Sequence, residues 1–488
     1  MNLVLLRPEL ALLATAIAVI LLDTFVKRKG ILTILSIIGL VIAGAYTLLM
    51  WDAGGQSVSN LIVVDNFALF FKMLFLGIAT LVILSSTDYV GKFADFRGEY
   101  HALILLATLG MTLLSSATEL ITLYVSLEVL SLSVYALSGF LKDPKSSESS
   151  LKYMLLGAVS SAVLLYGMAL IYGFTGTTQL SGIAAAVSQV ASDRILDNPG
   201  LLMGIALMVA GFGFKVAAVP FQLWVPDVYE GAPTPIVGFL SVGSKAAGFA
   251  LILRVFYTAF EMPAWLSLDW GTVYAVLATV GMVVGNVSAM AQGNIKRLLG
   301  YSSIAQAGYL LVGVATLGFA DPTEIIGRSA ILFFLFSYAL ANLGAFAAII
   351  AISNKTNSDE IKDYAGMGKR APVLALCLTV CLISLIGMPP AAGFMAKFYL
   401  FNGAVQNGLL WLVIIAVLNS VISAFYYLRV VKAMWFTEVA ETASTEKVPA
   451  SGALRLTLAL TTLGVLYVFI APDRVMDLAK WAAQIMGF

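Results

Sequence analysis

Long apolar runs recur along the whole sequence, separated by short polar connections. Each of about 14 runs has roughly 20 residues, the length that an α-helix needs to cross the hydrocarbon core of a bilayer. Only 11% of the residues are charged, whereas an ordinary soluble domain has about a quarter. The pattern predicts an all-α, polytopic membrane protein with about 14 transmembrane helices.

The predicted spans are numbered 1 to 14 in chain order. Their approximate bounds are 4–24, 31–50, 66–86, 100–117, 119–140, 150–173, 200–224, 233–256, 271–291, 298–318, 325–352, 372–405, 408–432 and 454–471. Span 12 is overlong and contains Pro389 and Pro390, so we interpret it as one broken span. A short stretch at 178–191 is expected to lie along the membrane surface.

Two groups of five spans are predicted to be inverted repeats. Residues 211–215 in span 7 and 393–397 in span 12 share the pattern Gly-Phe-x-x-Lys, and paired interrupted spans in corresponding places are typical of inverted-repeat transporters. Four regions are therefore predicted. They are three N-terminal helices in 1–90, spans 4–8 in 100–256, spans 9–13 in 271–432, and a C-terminal helix in 454–488.

The distribution of Lys and Arg predicts the orientation, because cytoplasmic connections are enriched in both. We assume that the first connection faces the cytoplasm. Six of the 28 basic residues then lie within spans, and only five lie on the opposite side, namely Arg7, Arg194, Arg328, Arg474 and Lys480. The other 17 are cytoplasmic, so both chain ends are expected on the non-cytoplasmic side.

Seven charged side chains fall inside predicted spans, where a charge at the bilayer centre costs about 2.5–3.5 kcal/mol. They are Lys72, Glu128, Lys152, Lys215, Lys245, Arg254 and Lys397. Four of them are the strongest functional candidates, because Glu128 and Lys245 lie near mid-span and Lys215 and Lys397 lie beside helix interruptions. The alternative is that these charges form ion pairs that only fix helix packing.

The other three in-span charges are weaker candidates. Lys152 lies near the membrane interface, where it could take part in function or extend its amino group to the headgroups. Arg254 is near the end of span 8 and is expected to reach the interface in the same way. Lys72 is expected to have a structural role.

Prolines are predicted to break spans 7 and 12, because proline lacks an N–H group and its ring clashes with the carbonyl four residues earlier. Pro220 would free the carbonyl of Val216, next to Lys215. Freed carbonyls are tolerated at membrane depth only where protein or a water-filled cavity satisfies them. In span 12, the prolines would free the carbonyls of Leu385 and Ile386. The sequence therefore predicts a wet cavity at each break.

Burial disfavours the charged form of a lysine and a nearby carboxylate favours it, so a buried lysine with a movable acidic partner can take up and release a proton. Glu128 is interpreted as the only acid within the spans and as the partner of Lys215. Lys245 and Lys397 would then pass the proton on through water and polar side chains. Candidates for these side chains are Gln222, Ser302, Ser303 and Gln306.

The sequence lacks the patterns that other chemistry needs. It has one histidine, His101, and no Cys/His cluster, phosphate-binding loop, dinucleotide fingerprint or haem-binding pair of histidines. Cys377 and Cys381 are expected to pack in the core, and a net charge of +1 gives no basic surface for a nucleic acid. We expect no cofactor, metal ion or redox centre in this chain.

Four stretches closely resemble the proton-translocating, antiporter-like membrane subunits of respiratory complex I, over about residues 60–435. They are GFGFKVAAVPFQLWVPDVYEGAPTP, VGSKAAGFALILRVF, NIKRLLGYSSIAQAGYLL and GMPPAAGFMAKFYLF. The resemblance implies a subunit of a bacterial inner-membrane complex that oxidises NADH, reduces quinone and pumps protons. Other subunits would bind NADH, FMN, iron–sulfur clusters and quinone. The partners would be a second antiporter-like subunit, small membrane subunits and lipids.

The resemblance also implies roles for single residues. Glu128 matches the span 5 acid that pairs with a span 7 lysine, here Lys215, and Lys152 matches a lysine of span 6. Lys245 matches a central connecting lysine, and Lys397 matches an exit-side lysine. A lysine at this last position, where another branch is expected to have glutamate, and an end after span 14 favour one branch of the family.

Two positions depart from the pattern of the family, since Gln222 and Gln306 stand where relatives often have histidine. Glutamine does not titrate, so water must bridge these positions if they conduct protons. Three other interpretations remain open at this point. They are a subunit of a multi-subunit cation/proton antiporter or related hydrogenase or dehydrogenase, a stand-alone solute carrier, and an arm subunit whose charges only hold helices together.

Overall fold

The computed structural model describes residues 3–27, 29–51, 55–93, 96–189, 198–260, 264–317, 326–438, 448 and 450–484. The first helices are α1 (Arg7–Phe25), α2 (Gly30–Leu49), α3 (Asn66–Ser86), α4 (Arg97–Ser116), α5 (Leu120–Ser138), α6 (Pro144–Thr175), α7 (Leu180–Ser188), α8 (Pro199–Val216), α9 (Val225–Gly231) and α10 (Thr234–Phe239). The remaining helices are α11 (Lys245–Ala259), α12 (Ala264–Met290), α13 (Ile295–Leu317), α14 (Ile326–Thr356), α15 (Met367–Arg370), α16 (Pro372–Ile386), α17 (Ala392–Gln406), α18 (Leu410–Phe436), α19 (Gly452–Ile470) and α20 (Pro472–Ala482).

The predicted helical membrane fold is confirmed. Among the described residues, 13 helical segments are long and apolar enough to cross a bilayer, and the shorter helices α16 and α17 together form the predicted span 12. A small antiparallel hairpin, β1 (Gln56–Val58) and β2 (Ile62–Val64), is the exception to the all-α prediction. Helix α7 occupies the predicted surface stretch, whereas Arg194 lies outside the described residues.

Three spans form the centre of the protein. In the segment Thr234–Ala259, which contains α10, a π-helical turn at Leu240–Ser244 and α11, every residue of the most apolar stretch is buried. In the corresponding stretches of α13 and α14, 94% and 89% of the residues are buried. Only 33% are buried in those of α1, α2, α6 and α19, which form the periphery. A charge on α11 or α13 is therefore surrounded by protein, while the outer helices expose apolar side chains suited to lipid or partner subunits.

Two isolated β-bridges mark corresponding places in the two repeats. Glu119 pairs with Gln179 before α5, and Asn294 pairs with Glu360 before α13. The Glu119 carboxylate also caps α5 by accepting a hydrogen bond from the backbone N–H of Thr122 at 3.0 Å. Because successive spans alternate in direction, α5 and α13 run in opposite senses, as the inverted repeats require.

Close helix packing recurs at matching positions. A Cβ atom at Gly110 would lie 2.7 Å from the backbone nitrogen of Leu130 in α5, and one at Gly285 would lie 2.5 Å from that of Ala305 in α13. The separation along the chain between Gly110 and Gly285 equals that between Leu130 and Ala305. It also equals the separation between Glu119 and Asn294, the bridge residues that precede α5 and α13. These correspondences agree with two inverted repeats, while the bounds of the four regions stay a prediction.

The expectation that Arg254 extends to the interface is wrong. Its side chain is fully buried and donates two hydrogen bonds to the Asp65 carboxylate, at 2.6 and 2.9 Å, and one to the carbonyl of Ser115 at 2.8 Å. Asp65 also caps α3 through the N–H of Ala68. Because Asp65 accepts these hydrogen bonds inside the protein, the guanidinium does not need to reach the headgroups. The pair instead joins α11 to the start of α3.

A second buried ion pair lies between α1 and α3. The Lys72 amino group is 2.9 Å from the Glu9 carboxylate, and both side chains are almost fully buried. This contact agrees with the structural role expected for Lys72. It also shows that the interpretation of Glu128 as the only acid within the spans was wrong.

Replacing Arg254 by methionine should strongly destabilise the protein, because it leaves the Asp65 charge buried without a partner. Loss of one member of a buried pair costs about 3–5 kcal/mol. The matched control is Lys145→Met, since Lys145 is 59% exposed in its pair with Glu230 and exposed pairs contribute about 1 kcal/mol or less. The free energies of unfolding in detergent measure both effects. Equal losses of stability in the two variants would contradict a stabilising role for the buried Arg254–Asp65 pair.

Candidate functional site

Both predicted helix breaks are present, and each lies where the proline chemistry places it. Helix α8 ends at Val216, four residues before Pro220, and α16 ends at Ile386, four residues before Pro390. Proline excludes a helical carbonyl at this position because its ring clashes with that oxygen. The first half of each broken span therefore ends inside the protein.

At the second break, side chains satisfy the two carbonyls that the sequence predicted to be free. Lys397 donates from Nζ to the Ile386 carbonyl at 2.7 Å, and Gln306 donates from Nε2 to the Leu385 carbonyl at 2.9 Å. Lys397 also donates to Ser420 Oγ at 2.8 Å. At this break, a buried lysine is therefore bound by neutral oxygen acceptors.

At the first break the arrangement differs. The indole Nε1 of Trp224 donates to the carbonyl of Phe214 at 3.1 Å, while the Lys215 amino group donates to Ser131 Oγ at 2.6 Å. Lys215 lies before its break and Lys397 lies after its own. The shared Gly-Phe-x-x-Lys pattern therefore places the two lysines on opposite sides of the breaks.

Glu128 and Lys215, the predicted partners, are not in direct ion-pair contact in this structure. The Glu128 carboxylate accepts a hydrogen bond from Ser161 Oγ at 2.5 Å, and no ion pair of these two described residues is present. Ser131, which binds Lys215, lies three positions after Glu128 and so on the same face of α5. Lys215 therefore binds the hydroxyl of this serine, and the Glu128 carboxylate binds that of Ser161.

Lys245 lies at the centre of the molecule, directly after the π-helical turn. Its amino group donates to Ser303 Oγ at 2.5 Å and to the backbone carbonyl of the same residue. Ser303 also shares a hydrogen bond of 3.0 Å with the hydroxyl of Tyr229 on α9. The predicted association of Lys245 with Ser303 is present, whereas Ser302 hydrogen-bonds to Tyr427 instead.

A small cavity lies between the surroundings of Lys245 and those of Lys397. Its lining includes Gln306, Ser337, Tyr338, Ser384 and Lys397. The ring centroid of Tyr338 is 5.7 Å from the amino group of Lys245. The centre of a water molecule can occupy about 10 Å³ of the cavity, which is close to the least volume that holds one water.

Several buried polar atoms near Lys215 and Lys245 have no hydrogen-bond partner among the described residues. They are the hydroxyls of Tyr135, Tyr153 and Ser244 and the side-chain oxygen of Gln222. The Tyr135 ring centroid is 5.5 Å from the amino group of Lys215, and Ser244 directly precedes Lys245. Buried polar atoms without protein partners are the usual positions of internal water.

Lys152 lies apart from the buried lysines, in a charged pocket at the side predicted to be cytoplasmic. It is 45% exposed and forms ion pairs of 2.8 Å with Glu148 and Asp227. Arg297 binds both Asp227 and Glu230, at 3.0 and 2.9 Å. Burial raises the pKa of the Asp227 carboxyl, but the hydrogen bonds from Lys152 and Arg297 outweigh this effect and lower the pKa overall.

Four residues that contact the candidate side chains were missed from the sequence: Ser131, Ser161, Tyr229 and Ser420. Ser131 had a usable signal, because it follows Glu128 by about one helical turn. The other three come from separate helices, and their hydroxyl groups meet Glu128, Ser303 and Lys397 only in the folded chain. Nothing in the local sequence of these three distinguishes them from other serines and tyrosines.

The arrangement can hold and move protons. Lys215, Lys245 and Lys397 are 4%, 3% and 5% exposed, and their amino groups contact hydroxyl groups, which can both donate and accept a hydrogen bond. Among the residues that the structure describes, no group of three or more His, Cys, Asp or Glu side chains could hold a metal ion. The three lysines and their hydroxyl partners are therefore the candidate site.

Comparisons with known proteins agree with one family. The family described as NADH:quinone oxidoreductase/Mrp antiporter, TM matches residues 117–423. The NADH-quinone oxidoreductase subunit N of Dehalococcoides mccartyi is 50% identical over 98% of this chain and 99% of its own length. That of Trichlorobacter lovleyi is 47% identical over 99% of this chain and 98% of its own. A chain in the solved structure of respiratory complex I from Thermus thermophilus with bound aureothin is 32% identical, with a TM-score of 0.80 over 97% of this chain and 99% of that chain.

Replacing Gly387 by alanine should disturb the site more than the backbone conformation alone explains. Gly387 has φ +86°, and an added Cβ would lie 2.7 Å from Cδ of Lys397. The control is Gly408→Ala, with φ +77° and nothing within 4 Å of its Cβ, which should cost about 1–2 kcal/mol from left-handed strain. The free energy of unfolding should fall further for Gly387→Ala, and equal losses would show that Lys397 does not pack closely on this turn.

Proposed function

The chain belongs to the NADH:quinone oxidoreductase/Mrp antiporter family, and on that premise we propose that it is the N-type membrane subunit of a proton-pumping NADH:quinone oxidoreductase. The family match and two relatives of 50% and 47% identity along almost their whole length support this function. The observation that carries the mechanism is the set of three buried lysines bound to neutral acceptors. The translocase activity belongs to the complex, and this chain provides one proton path.

Lys215 is the first switch of the path. Its amino group is held by Ser131 rather than by the Glu128 carboxylate, so its proton is not fixed by a direct ion pair. Movement of Glu128 toward Lys215 favours the charged lysine, and movement toward Ser161 favours release of the proton. A charge change in a neighbouring subunit would drive this movement, because electrostatic effects are strong in a low-dielectric interior.

The proton then passes from Lys245 to Lys397. Ser303 accepts from Lys245, and the small cavity next to Tyr338 continues toward Lys397. Gln306 does not titrate, and its amide nitrogen is already bound to the Leu385 carbonyl. Water therefore carries the proton past this glutamine, and water bound to the unpartnered oxygen of Gln222 does the same near the first break.

The charged pocket around Lys152 is the uptake side in this proposal. It combines Lys152, Asp227, Glu230 and Arg297 at the surface predicted to face the cytoplasm. Lys152 thus forms ion pairs at the entrance and does not carry protons at membrane depth.

The chain works within a hetero-oligomer in the bacterial inner membrane. Its neighbours would be a second antiporter-like subunit, small membrane subunits and lipids, and both chain ends would be on the non-cytoplasmic side. Other subunits would bind NADH, FMN, iron–sulfur clusters and quinone. The antiporter interpretation is not favoured, because relatives that match this chain from end to end have the name of an oxidoreductase subunit.

Lys245→Met in the intact complex should lower the rate of proton pumping by roughly tenfold or more, because a positioned proton carrier contributes about 10²–10⁴-fold to a transfer step. Methionine is an unbranched side chain of similar shape that is one heavy atom shorter and carries no titratable proton. The measurement is acidification of the interior of inverted membrane vesicles, normalised to NADH oxidised. The control is Lys27→Met, because Lys27 is exposed and far from the candidate site in sequence.

A normal ratio of protons to NADH in an assembled Lys245→Met complex would rule out the proton path. It would favour the interpretation that the charges only hold helices together. Loss of assembly in Lys245→Met is separated from loss of pumping by the amount of the complex in native gels.

A further inference from the structure

An aromatic ring covers the amino group of Lys397. The Nζ atom lies over the face of the Tyr309 ring, 4.2 Å from the ring centroid, and a cation is attracted by a ring within about 6 Å. Tyr309 lies on α13 and Lys397 on α17, and the two residues are 0% and 5% exposed. The contact is therefore shielded from water, which is the condition under which such an attraction is strongest.

Contacts on two sides hold the Tyr309 ring in this position. The side-chain amide of Asn286 on α12 donates a hydrogen bond of 3.4 Å to the Tyr309 hydroxyl, and Asn286 itself accepts one of 3.0 Å from Tyr426 on α18. The ring of Phe401, one helical turn after Lys397 on α17, has its centroid 6.3 Å from that of Tyr309. These contacts keep the face of the ring against the lysine.

The hydrogen bonds of Lys397 go to neutral oxygen atoms and leave one donor for the ring. An ammonium group has three donors. Two of them bind the Ile386 carbonyl at 2.7 Å and Ser420 Oγ at 2.8 Å, while the contact to the Leu385 carbonyl is 3.5 Å, longer than an ordinary hydrogen bond. A ring face attracts the positive charge but, unlike a carboxylate, has no net charge and takes up no proton.

The other two lysines of the candidate site have the same kind of neighbour. The amino group of Lys215 is 5.5 Å from the ring centroid of Tyr135, and that of Lys245 is 5.7 Å from the ring centroid of Tyr338. The three tyrosines lie on different helices, α5, α13 and α14, so a repeated local sequence does not explain the recurrence. Tyr309 is the nearest of the three to its lysine and therefore gives the sharpest test.

We propose that the face of the Tyr309 ring is a positioning element of the proton path, which stabilises the charged form of Lys397 by cation–π attraction. This inference rests on the proposed function of the lysines. The ring performs this role and the hydroxyl group does not, because the ring face lies against the ammonium group while the hydroxyl binds Asn286. Tyr309 exchanges no proton; it increases the population of charged Lys397, from which the next transfer step starts.

The test replaces Tyr309 in the intact complex by phenylalanine and by phenylalanines with one, two and three ring fluorines. Fluorine withdraws electron density from the ring face and so weakens a cation–π attraction, but it changes the shape of the ring little. Tyr309→Phe keeps the ring and should pump at nearly the rate of the unchanged protein. The trifluorinated variant should pump roughly tenfold more slowly than Tyr309→Phe, with the other two in between. Proton pumping by inverted membrane vesicles is normalised to the amount of assembled complex.

A matched series at Tyr364 controls for packing. Tyr364 is also 0% exposed, and its hydroxyl shares a hydrogen bond of 3.2 Å with Ser353, so fluorination there should leave pumping unchanged. An equal decline in both series would refute the role of the Tyr309 ring, because the decline would then come from packing. A Tyr309→Phe variant as slow as the trifluorinated one would also refute it, because the hydroxyl would then be the active group.

The variant Lys397→Met separates this inference from the proposed function. If Lys397→Met fails to pump but all fluorinated variants at Tyr309 pump as fast as Tyr309→Phe, the role of the ring is refuted and the proposed function stands. If Lys397→Met pumps normally in an assembled complex, the proposed function itself fails.

Discussion

Backbone carbonyls must find hydrogen-bond donors inside the protein when no water reaches them, and this constraint organises the whole molecule. A regular helix satisfies this constraint by itself, through its own backbone hydrogen bonds. The two broken spans do not, because α8 and α16 each end four residues before a proline. One break recruits the indole of Trp224, and the other recruits the amino group of Lys397. The second solution places a titratable group at membrane depth as part of the helix end itself.

Buried cations are stabilised in two different ways in this structure. Arg254 and Lys72 are paired with carboxylates, Asp65 and Glu9. In such a pair, each buried charge is compensated by its partner. Lys215, Lys245 and Lys397 instead bind hydroxyls and carbonyls. This difference in hydrogen-bond partners is the reason that the proposed relay uses these three lysines.

The inverted repeats add a reason for the asymmetry between the two halves. By the spacing that relates the two β-bridges, Glu128 on α5 corresponds to Ser303 on α13. The first half therefore contains a carboxylate that can influence Lys215 by its charge, whereas the second half offers Lys245 a hydroxyl. In the proposed relay, the charge-driven step would therefore belong to the first half and the neutral transfer steps to the second.

Sequence and tertiary structure determined different parts of this picture. The sequence alone predicted the spans, both breaks and the three buried lysines, because apolar length and proline chemistry act locally along the chain. It was wrong about Arg254, and it left open whether Lys152, near the interface, takes part in function. The position of a charged side chain depends on its partner, and the partner of Arg254 is Asp65, at the start of another helix. Only the packing of distant helices decided which buried charges were paired with a carboxylate and which were bound by neutral oxygen atoms, because the partners are far apart in the sequence.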